Sequence, residues 1–421
     1  MFDTLKQAQQ WIESVEKFSD KYDLSRMQKA CAMLSFPQDE FKSIHIGGTN
    51  GKGSTLQMIH RVLMRSGYRV GTFTSPYIVH FNERITLGGV MISDEDLLHY
   101  INIIYAFQED YKARYDDQIT FFEMLSLISF LYFRDSDVDI VLYEVGLGGT
   151  LDATNVITPL IAIITSIGYD HMNVLGNTLE SIATNKLGIV KAGVPLISGV
   201  QQDTLVPLFT SHAAREGSAV YFTKDMHITD ATVAFPTSFV HKGTAYTLAM
   251  HGTHQINNAL IAIQTAEILR DTYGYTISTT AISEGLSLAT MPGRFEHIGK
   301  YILDGAHNIS GLEASLETLQ RLYPHTPVRI VFGVMADKDY VPMLKAIAKV
   351  AQTVILSEIP YGRSEKAEIL KTKSTHPSAR VIADSNALID ELQHSAFEGV
   401  TLITGSFYFI STMRRMLIET T

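Results

Sequence analysis

A glycine-rich loop between a strand and a helix is the feature that most constrains how this chain can fold. Residues 44–54 read IHIGGTNGKGS, in which a β-branched run leads into glycines, a lysine and a serine. Glycines let backbone N–H groups turn inward around phosphates, and the start of the following helix adds favourable partial charge. In such a loop Lys52 reaches the β- and γ-phosphates of a nucleoside triphosphate, and the Ser54 hydroxyl binds Mg²⁺. The loop predicts a phosphate site on an α/β scaffold.

The spacing of this loop departs from the common form G-x-x-x-x-G-K-[ST]. Ile46 stands where the first glycine belongs, and Gly53 separates Lys52 from the hydroxyl of Ser54. The structural alternative is an ordinary glycine turn between a strand and a helix. The loop by itself indicates a nucleoside triphosphate but does not indicate the reaction.

Strand-length apolar runs alternate with helix-length segments around the loop, a pattern typical of parallel βαβ units and a doubly wound sheet. The predicted strands are 43–46, 138–145, 160–167 and 195–199, and the predicted helices are 53–66, 121–133 and 179–191. Between Val220 and Met250 the pattern changes to short alternating segments, which predict a small antiparallel insert. A helix is predicted from Gln255 to about Asp271.

A second βα series begins after Pro292 and Gly293, two residues that interrupt regular structure. Its predicted strands are 301–303, 329–332, 354–356, 380–383 and 401–404, and its predicted helices are 312–322, 341–350 and 387–394. We therefore predict an α/β protein of two domains. Residues 1–292 form a P-loop-type doubly wound domain with the insert, and residues 293–421 form a smaller, Rossmann-like domain.

Charge and cysteine content exclude several classes of protein. The chain of 421 residues has 34 Lys and Arg against 44 Asp and Glu, a net charge of −10, which speaks against bulk attraction to nucleic acid or an anionic membrane. Cys31 is its single cysteine, as suits a reducing compartment. The first residues do not resemble a signal peptide, and no apolar run approaches the ~18 residues of a membrane span. We expect a cytoplasmic protein without nucleic-acid or membrane partners.

Polar side chains follow two of the predicted strands. Glu144 ends the run LYE, and His171 lies just beyond the strand 160–167. Each side chain alone could be an ordinary polar loop residue, but the carboxyl ends of parallel strands meet at one edge of a sheet. Glu144 is placed to ligate Mg²⁺ through oxygen, as hard cations require, and the three side chains Ser54, Glu144 and His171 together predict a metal site. Lys186 lies on a predicted helix, where lysines are usually solvated.

The second series carries polar clusters at its own strand ends. Asp304 and His307 belong to the segment DGAHN, and residues 337–339 read DKD. Arg294 follows the predicted boundary between the domains, where a guanidinium can contact phosphate. These positions predict a ligand cleft between the two domains.

Taken in order, these segments resemble the folylpolyglutamate synthases and dihydrofolate synthases, relatives of the Mur peptide ligases. The resemblance covers nearly the whole chain and rests on these motifs: HIGGTNGKGS (45–54), TFTSPYIVHFNERI (72–85), FFE (121–123), EVGLGGTLDATN (144–155), DHMNVLG (170–176), NKLGIVKAG (185–193), NNALIAI (257–263), PGRFE (292–296), DGAHN (304–308), GVMADKDY (333–340) and TGSFYF (404–409). One such motif is weak evidence, but the complete series in order is highly specific.

The resemblance implies roles for matching positions on the nucleotide side. Two Mg²⁺ ions would be held by Ser54, Ser75, Glu144 and His171. Lys186 matches a lysine that such ligases carry as a carbamate. ATP would be bound by Gly48, Thr49, Asn50, Gly51, Lys52, Gly53, Ser54, Asn258, Arg294 and Asp304. Lys52, Lys186 and His307 would be the catalytic residues, and a monovalent cation is compatible with the family.

The resemblance also implies two sites for the other substrates. Residues 75–84 match a loop that helps to form the folate site, to which Phe121, Asp152, Ala153 and Thr154 would contribute. His307 and Ser406 would lie on the glutamate side. Thr150 stands where many relatives have arginine, which puts an anionic contact there in doubt.

The reaction implied by the resemblance is ATP-dependent amide formation. A folate carboxylate attacks the γ-phosphate to give an acyl phosphate and ADP, and the amine of L-glutamate then displaces phosphate. The deprotonation of that amine calls for a base, for which His307 and a Lys186 carbamate are candidates. The partners are small molecules, and the family suggests a monomer.

Several alternatives stay open at this stage. The acceptor could be tetrahydrofolate, dihydropteroate or both. A Mur-type cell-wall ligase would share the loop but carries a further nucleotide-sugar domain ahead of it, whereas 46 residues precede Gly47 here. A P-loop kinase or NTPase would use the first domain alone and would leave DGAHN and PGR without a role.

Overall fold

The computed structural model describes residues 1–16, 23–359 and 361–419. Its strands in chain order are β1 Ser43–Gly47, β2 Val70–Phe73, β3 Ile85–Leu87, β4 Val90–Met91, β5 Ile140–Glu144, β6 Ile161–Ile164, β7 Leu196–Ser198, β8 Val220–Phe222, β9 Ile228–Thr232, β10 Thr237–His241, β11 Thr244–Leu248, β12 Glu296–Ile298, β13 Tyr301–Asp304, β14 Val328–Phe332, β15 Thr353–Leu356, β16 Ala379–Val381 and β17 Val400–Thr404. Its α-helices in chain order are α1 Leu5–Ser14, α2 Ser25–Met33, α3 Lys52–Arg65, α4 Asp94–Tyr115, α5 Phe121–Arg134, α6 Met172–Leu175, α7 Leu179–Leu187, α8 Val206–Arg215, α9 Thr253–Tyr273, α10 Thr279–Leu288, α11 Ile309–Leu322, α12 Val341–Val350, α13 Ala367–Lys373, α14 Ser385–His394 and α15 Phe407–Glu419.

The chain divides into two compact units. The first comprises Met1–Ile167, Thr178–Met226 and Leu260–Gly285. Its sheet, within the described residues, has the strand order β4-β3-β2-β5-β1-β6-β7-β8. The strands from β2 to β8 in this order are parallel, while β3 and β4 form an antiparallel edge. Strand β1 lies inside this sheet and is buried along its whole length, so the glycine loop that follows it starts from a rigid position.

An aromatic core supports the first unit beneath β2 and β5. Phe73 and Tyr143 project from these strands and pack with Phe130 of α5, in a cluster that also includes residues of α1, α2 and α4. A capping box fixes the start of α5: the Glu123 carboxylate accepts from the backbone N–H of Thr120 at 2.8 Å. Arg26 of α2 pairs with the same carboxylate at 3.1 Å. This buried anchor places the phenylalanines at the first turn of α5.

The second unit comprises Gly168–Asn177, His227–Ala259 and Leu286–Thr421. Its larger sheet has the order β12-β13-β17-β14-β15-β16 and is parallel except for β12. Leucine, isoleucine and valine side chains fill both faces of this sheet. Strands β9, β10 and β11 form a separate antiparallel sheet. The predicted fold class, an α/β chain with a doubly wound first part, a small antiparallel insert and a smaller second α/β part, is confirmed.

Two local predictions were wrong. Strand β8, predicted as part of the insert, pairs in parallel with β7 and so belongs to the large sheet. Three residues are too few to show which kind of pairing a strand will adopt. Helix α7 ends at Leu187 rather than continuing to Lys191. The N–H groups of Gly188 and Ile189 donate to the carbonyls three residues back, at 3.2 and 3.3 Å, and not to those four residues back as in an α-helix. The domain boundary after residue 292 stays a prediction.

Several elements had no sequence prediction, including β2 to β4, α4, α10, α13 and α15. Most are short, or are helices whose apolar positions lack a clear period, and tertiary packing decides such cases. Among the described residues, no helix is long and apolar enough to span a bilayer.

Candidate active site

The glycine loop is held by the segment that follows β6. Gly48 has φ +143°, and a β-carbon there would lie 2.0 Å from the Thr165 hydroxyl, so glycine is required at this position. The Thr49 N–H donates to the Ser166 carbonyl at 2.9 Å, and the Thr165 hydroxyl donates to the Asn50 carbonyl at 2.7 Å. Thr165 and Ser166 were not among the predicted site residues. Their position just after a buried strand, beside the predicted loop, was the available signal.

Two lysines converge on this loop. Lys52, in the first turn of α3, donates from Nζ to the Gly48 carbonyl at 3.2 Å and the Thr49 carbonyl at 3.4 Å. Lys186 of α7 is buried and donates from its Nζ to the same Gly48 carbonyl at 3.0 Å. Two ammonium groups at one carbonyl, close to the buried Ser54 at the start of α3, make a strongly cationic loop. The fold thus brings Lys186 to the loop, although residue pattern alone gave no reason to select it.

The predicted Mg²⁺ ligands are distributed over both units. Ser54, Ser75 and Glu144 belong to the first unit and His171 to the second. Glu144 is buried at the end of β5, and its Oε2 accepts from the Ser75 N–H at 3.2 Å, so these two positions adjoin. The described residues contain no group of three or more His, Cys, Asp or Glu side chains placed to hold a metal. The hydroxyl and carboxylate oxygens of the first unit nevertheless fit the oxygen preference of Mg²⁺.

The loop from Ser75 to Arg84 is organised around Glu83. The Glu83 carboxylate accepts from the backbone N–H groups of Ile78, Val79 and His80 at 2.8, 3.0 and 2.9 Å. Three such bonds satisfy N–H groups of the irregular stretch that precedes a short 3-10 helix, Phe81–Arg84. The loop therefore has a defined shape.

Aromatic rings and one buried arginine lie beside this loop. The Arg84 guanidinium lies 5.0 Å from the ring of Tyr77, 5.4 Å from Phe81 and 5.8 Å from Phe121, distances typical of cation–π contacts. The ring of Phe122 covers Gly146, where a β-carbon would approach it within 2.5 Å. The start of α5 and this loop thus offer flat apolar surface beside a cation.

The Asp152 carboxylate fixes the conformation of its own segment by accepting hydrogen bonds from neighbouring residues. Its carboxylate accepts from the backbone N–H of Leu147 at 2.8 Å, that of Thr154 at 3.0 Å and the Thr154 hydroxyl, and Gly146 adds a further backbone bond. Burial raises the pKa of Asp152, and these donors act in the opposite direction. Four donors fill the acceptor positions of a carboxylate. Asp152 therefore fixes the segment with Ala153, and the surface of that segment is what a substrate would meet.

Thr150, the position where relatives often have arginine, packs against the end of α7. Its hydroxyl donates to the Asn185 carbonyl at 2.8 Å, and its backbone N–H donates to the same oxygen at 2.9 Å. A threonine here thus joins the glycine segment after β5 to the helix that carries Lys186.

In the second unit, Asp304 at the end of β13 is buried and accepts from the N–H groups of Phe295 and Ala306, both at 3.0 Å. Burial raises the pKa of Asp304, whereas the Arg294 charge acts to lower it. The Arg294 guanidinium also lies 4.4 Å from the ring of Phe407. Asn258 of α9 is buried and donates to the Gln255 side chain at 2.9 Å.

A charged cluster centred on Asp170 collects three segments of the second unit. We define the Asp170 cluster as Asp170, His171, His307, Asn308 and Lys338. Lys338 donates to Asp170 Oδ1 at 2.6 Å, His307 Nε2 lies 3.3 Å from Oδ2, and Asn308 donates to Oδ2 at 3.1 Å. His171 lies at the rim, with its Nε2 3.4 Å from the Lys338 nitrogen.

The neighbours of Asp170 favour its ionised form. Burial alone would raise the pKa of Asp170, but hydrogen bonding and charge from His307, with the Lys338 charge, lower it well below its ordinary value. The other ring nitrogen of His307 faces the Gly305 carbonyl at 3.1 Å. One ring nitrogen of His307 thus lies near the Asp170 carboxylate and the other near a backbone carbonyl, and both of these groups are hydrogen-bond acceptors. Ser406, buried just before α15, accepts from the Tyr408 N–H at 3.2 Å.

Comparison with known families accounts for both parts of the chain. Residues 46–266 match the family model of the Mur ligase middle domain. Residues 293–407 match the model of the Mur ligase glutamate ligase domain. The first match includes the glycine loop, Glu144 and Lys186, and the second includes Arg294, Asp304, His307 and Ser406.

Individual proteins resemble the chain over nearly its full length. A dihydrofolate synthase/folylpolyglutamate synthase of Bacillus subtilis is 37% identical over 429 residues, with 99% of this chain and 100% of the relative covered. The crystal structure of a folylpolyglutamate synthase from Thermotoga maritima is 32% identical, covers 99% of this chain and 97% of its own, and superposes with a TM-score of 0.85. Escherichia coli FolC, in complex with DHPP and ADP, is 25% identical over 99% and 98% of the two chains, with a TM-score of 0.87. The chain therefore belongs to the folylpolyglutamate synthase and dihydrofolate synthase family of ATP-dependent Mur-type ligases.

Proposed function

We propose that this ligase adds L-glutamate to the carboxylate of a folate, with ATP converted to ADP and phosphate. The observation that carries the proposal is the convergence of Lys52 and Lys186 on the Gly48 carbonyl in a chain that matches the family over its full length. Tetrahydrofolate and its polyglutamates are the first acceptor we assign.

The phosphate loop activates the acceptor. Lys52 and the N-terminus of α3 bind the β- and γ-phosphates, and their positive charge stabilises the charge that develops as the acceptor carboxylate attacks phosphorus. The bond from the γ-phosphorus to the bridging oxygen breaks, ADP leaves, and an acyl phosphate forms. The neutral amine of glutamate then attacks the acyl carbon, phosphate leaves, and the proton released from the nitrogen passes to water.

Mg²⁺ would be held by Ser54, Ser75 and Glu144, and His171 is the fourth predicted ligand. When bound, it would neutralise phosphate charge and orient the γ-phosphate. We assign two ions from the family resemblance. A carbamate on Lys186, formed when its neutral amine adds to CO₂ and releases a proton, would replace an ammonium group with a carboxylate beside Gly48.

The second unit would supply contacts for the nucleotide and for the incoming amino acid. We assign Asn258, Arg294 and Asp304 to ATP. His307 and Ser406 are assigned to the glutamate side. Phe121 and the segment Asp152–Thr154 are assigned to the pteridine side of the acceptor.

Dihydropteroate is a second candidate acceptor. Two observations favour it: the Bacillus subtilis relative is named for both activities, and the Escherichia coli structure is a complex with DHPP and ADP. On this view the enzyme performs both the formation of dihydrofolate and the extension of folate tails.

The deciding experiment measures ADP release with Mg²⁺, ATP and L-glutamate, with tetrahydrofolate and dihydropteroate as alternative acceptors. Activity with tetrahydrofolate alone supports a tail-extending synthase, and activity with both acceptors supports a bifunctional one. Activity with dihydropteroate alone would move the enzyme to the earlier step. ADP release that depends on neither acceptor nor glutamate would contradict the proposal and favour a P-loop NTPase.

Lys52→Ala tests the phosphate-loop assignment in the same assay. Loss of the cation at the transferred phosphate is expected to lower kcat by at least about a thousandfold. Lys349→Ala, at an exposed position of α12, is the matched control and should retain full turnover. Near-normal turnover of Lys52→Ala would contradict the assignment.

A further inference from the structure

A buried histidine contacts the segment that we assign to the acceptor, yet none of the proposed steps uses it. His45 lies in the middle of β1 and has no exposed surface. Its Nε2 lies 2.8 Å from the hydroxyl oxygen of Thr154, which is also fully buried. Buried polar groups are almost always paired, so the direction of each hydrogen bond in this set can be worked out.

The Thr154 hydroxyl decides the direction. Its single hydrogen points to the Asp152 carboxylate, which can only accept, and the two form a short hydrogen bond. The hydroxyl oxygen must then accept from its other neighbour, so His45 donates from Nε2. His45 is therefore the neutral tautomer with its proton on Nε2. Burial, and to a lesser degree the Lys191 charge, lower the pKa of His45 to about 3, which keeps the ring neutral at physiological pH.

The far side of the same segment is fixed independently. Lys191 donates to the backbone and side-chain oxygens of Asn155 at 3.0 and 2.8 Å. The Asn155 amide donates in turn to the carbonyls of Thr150 and Gly188 at 2.9 and 3.0 Å. With that side anchored and the Asp152 carboxylate held by its backbone donors, the remaining contact that orients the Thr154 hydroxyl is the donor at His45.

Strand β1 carries this donor and the phosphate loop together. Two residues, Ile46 and Gly47, separate His45 from Gly48 at the start of the loop. The strand is buried and paired on both sides, with β5 and with β6. Because β1 is held on both sides, it keeps the acceptor-side segment and the phosphate loop in a constant position relative to each other.

We propose that His45 is a positioning residue for the acceptor, which holds the segment Asp152–Thr154 in its binding conformation by donating from Nε2 to the Thr154 hydroxyl. The inference rests on the proposed function, because it takes this segment to contact the pteridine side of the acceptor. His45 itself touches no substrate, and its effect passes through Thr154 and Asp152.

Two substitutions at His45 separate positioning from bulk. His45→Leu removes the donor and keeps an apolar side chain of similar size, whereas His45→Gln retains an N–H near the position of Nε2. We expect His45→Leu to raise the KM of the acceptor about tenfold, the usual effect of one buried hydrogen bond. The KM of ATP and kcat should change less than about threefold, and His45→Gln should restore most of the acceptor KM.

His60→Leu is the matched control. His60 is another buried histidine of the first unit, and it makes no hydrogen bond to the segment Asp152–Thr154 or to the phosphate loop. The variant should leave the acceptor KM unchanged. If His45→Leu lowers the melting temperature but leaves the ratio of acceptor KM to ATP KM unaltered, His45 is merely structural and the inference is overturned. If the wild-type enzyme shows no glutamate-dependent ADP release, the proposed function fails instead, and the two failures are distinguishable.

A measurement on the wild-type protein covers the case in which His45→Leu does not fold. In ¹⁵N-histidine-labelled protein, NMR should show a His45 ring protonated on Nε2 alone at pH 7, assigned by its disappearance in His45→Gln. A ring protonated on Nδ1 would contradict the proposed hydrogen bond. Thr154→Val should reproduce the change in acceptor KM, and combining it with His45→Leu should add little, since both break the same contact.

Discussion

The phosphate loop and the Asp170 cluster both concentrate charge, but they are built in different ways. The loop is a contiguous stretch whose glycines permit its backbone shape, with Thr165 and Ser166 as supports. The Asp170 cluster is assembled from the segments after residues 168, 304 and 336, which are held together by side-chain charges. A site formed by the backbone of one short segment can therefore be recognised from the residues of that segment. A site formed by side chains from distant segments depends on how those segments pack in the folded protein.

Between the backbone of the loop and the side chains of the cluster, the larger effect is expected from a change at Gly48. In Gly48→Ala the added methyl group meets the Thr165 hydroxyl and the residue is strained at its positive φ, so the loop must shift. A displacement of about 1 Å in such a site costs on the order of a hundredfold in turnover. Steady-state ADP release measures this loss.

Gly67→Ala is the matched control for the loop. Gly67 also has a positive φ, of +89°, but no atom lies within 4 Å of the added β-carbon. It should cost about 1 kcal/mol of stability and leave kcat unchanged. Equal losses of activity in the two variants would show that close packing against Thr165 does not shape the loop.

A smaller effect is expected from breaking the Asp170 cluster. Asp170→Asn keeps the shape of the side chain but leaves Lys338 without its counter-charge. Removing one partner of such a buried pair is expected to lower the free energy of unfolding by about 3 kcal/mol. The KM of glutamate should rise about tenfold if His307 contacts it as proposed. Urea unfolding and glutamate titration measure the two effects.

The exposed pair of Asp337 with Arg363, at 3.1 Å, is the control for this cluster. Asp337→Asn should change stability by less than about 0.5 kcal/mol, because water already screens that pair. If Asp170→Asn lowers the free energy of unfolding no more than Asp337→Asn does, the Asp170 cluster does not stabilise the second unit.

The smallest effect at neutral pH concerns His60 of α3. Both ring nitrogens are buried and have no hydrogen-bond partner among the described residues. His60→Leu should therefore raise the free energy of unfolding by about 1 kcal/mol at pH 8. Chemical unfolding measures this gain, and loss of stability in the variant would show that the imidazole is needed for packing.

The stability of the wild type and of His60→Leu should also differ in its dependence on pH. Burial, with a smaller contribution from the Arg61 charge, lowers the pKa of His60 to about 4, against about 6.5 in the unfolded chain. Between these values the unfolded chain binds a proton that the folded chain does not, so stability falls as the pH drops below about 6.5. At pH 5 this costs about 2 kcal/mol, and His60→Leu should be spared that loss. If the free energy of unfolding falls by the same amount in the wild type and in His60→Leu between pH 8 and pH 5, the lowered pKa of His60 is contradicted.

The sequence by itself determined the features that depend on local backbone chemistry and periodicity. Apolar runs of strand length predicted the central parallel strands, and the glycines with Lys52 and Ser54 predicted the phosphate loop, because few other residues permit that backbone shape. The series of motifs then predicted the family, which the comparisons confirmed.

The tertiary structure alone decided which distant side chains meet. A lysine on a helix is ordinarily solvated, and only the packing of α7 against the loop brings Lys186 to the Gly48 carbonyl. The supports at Thr165 and Ser166, the anchor at Asp152 and the donor at His45 likewise depend on contacts across more than a hundred residues or on buried turns. Such contacts leave no period or spacing in the sequence, because the residues that make them are chosen by shape and hydrogen bonding in the folded protein rather than by their neighbours in the chain.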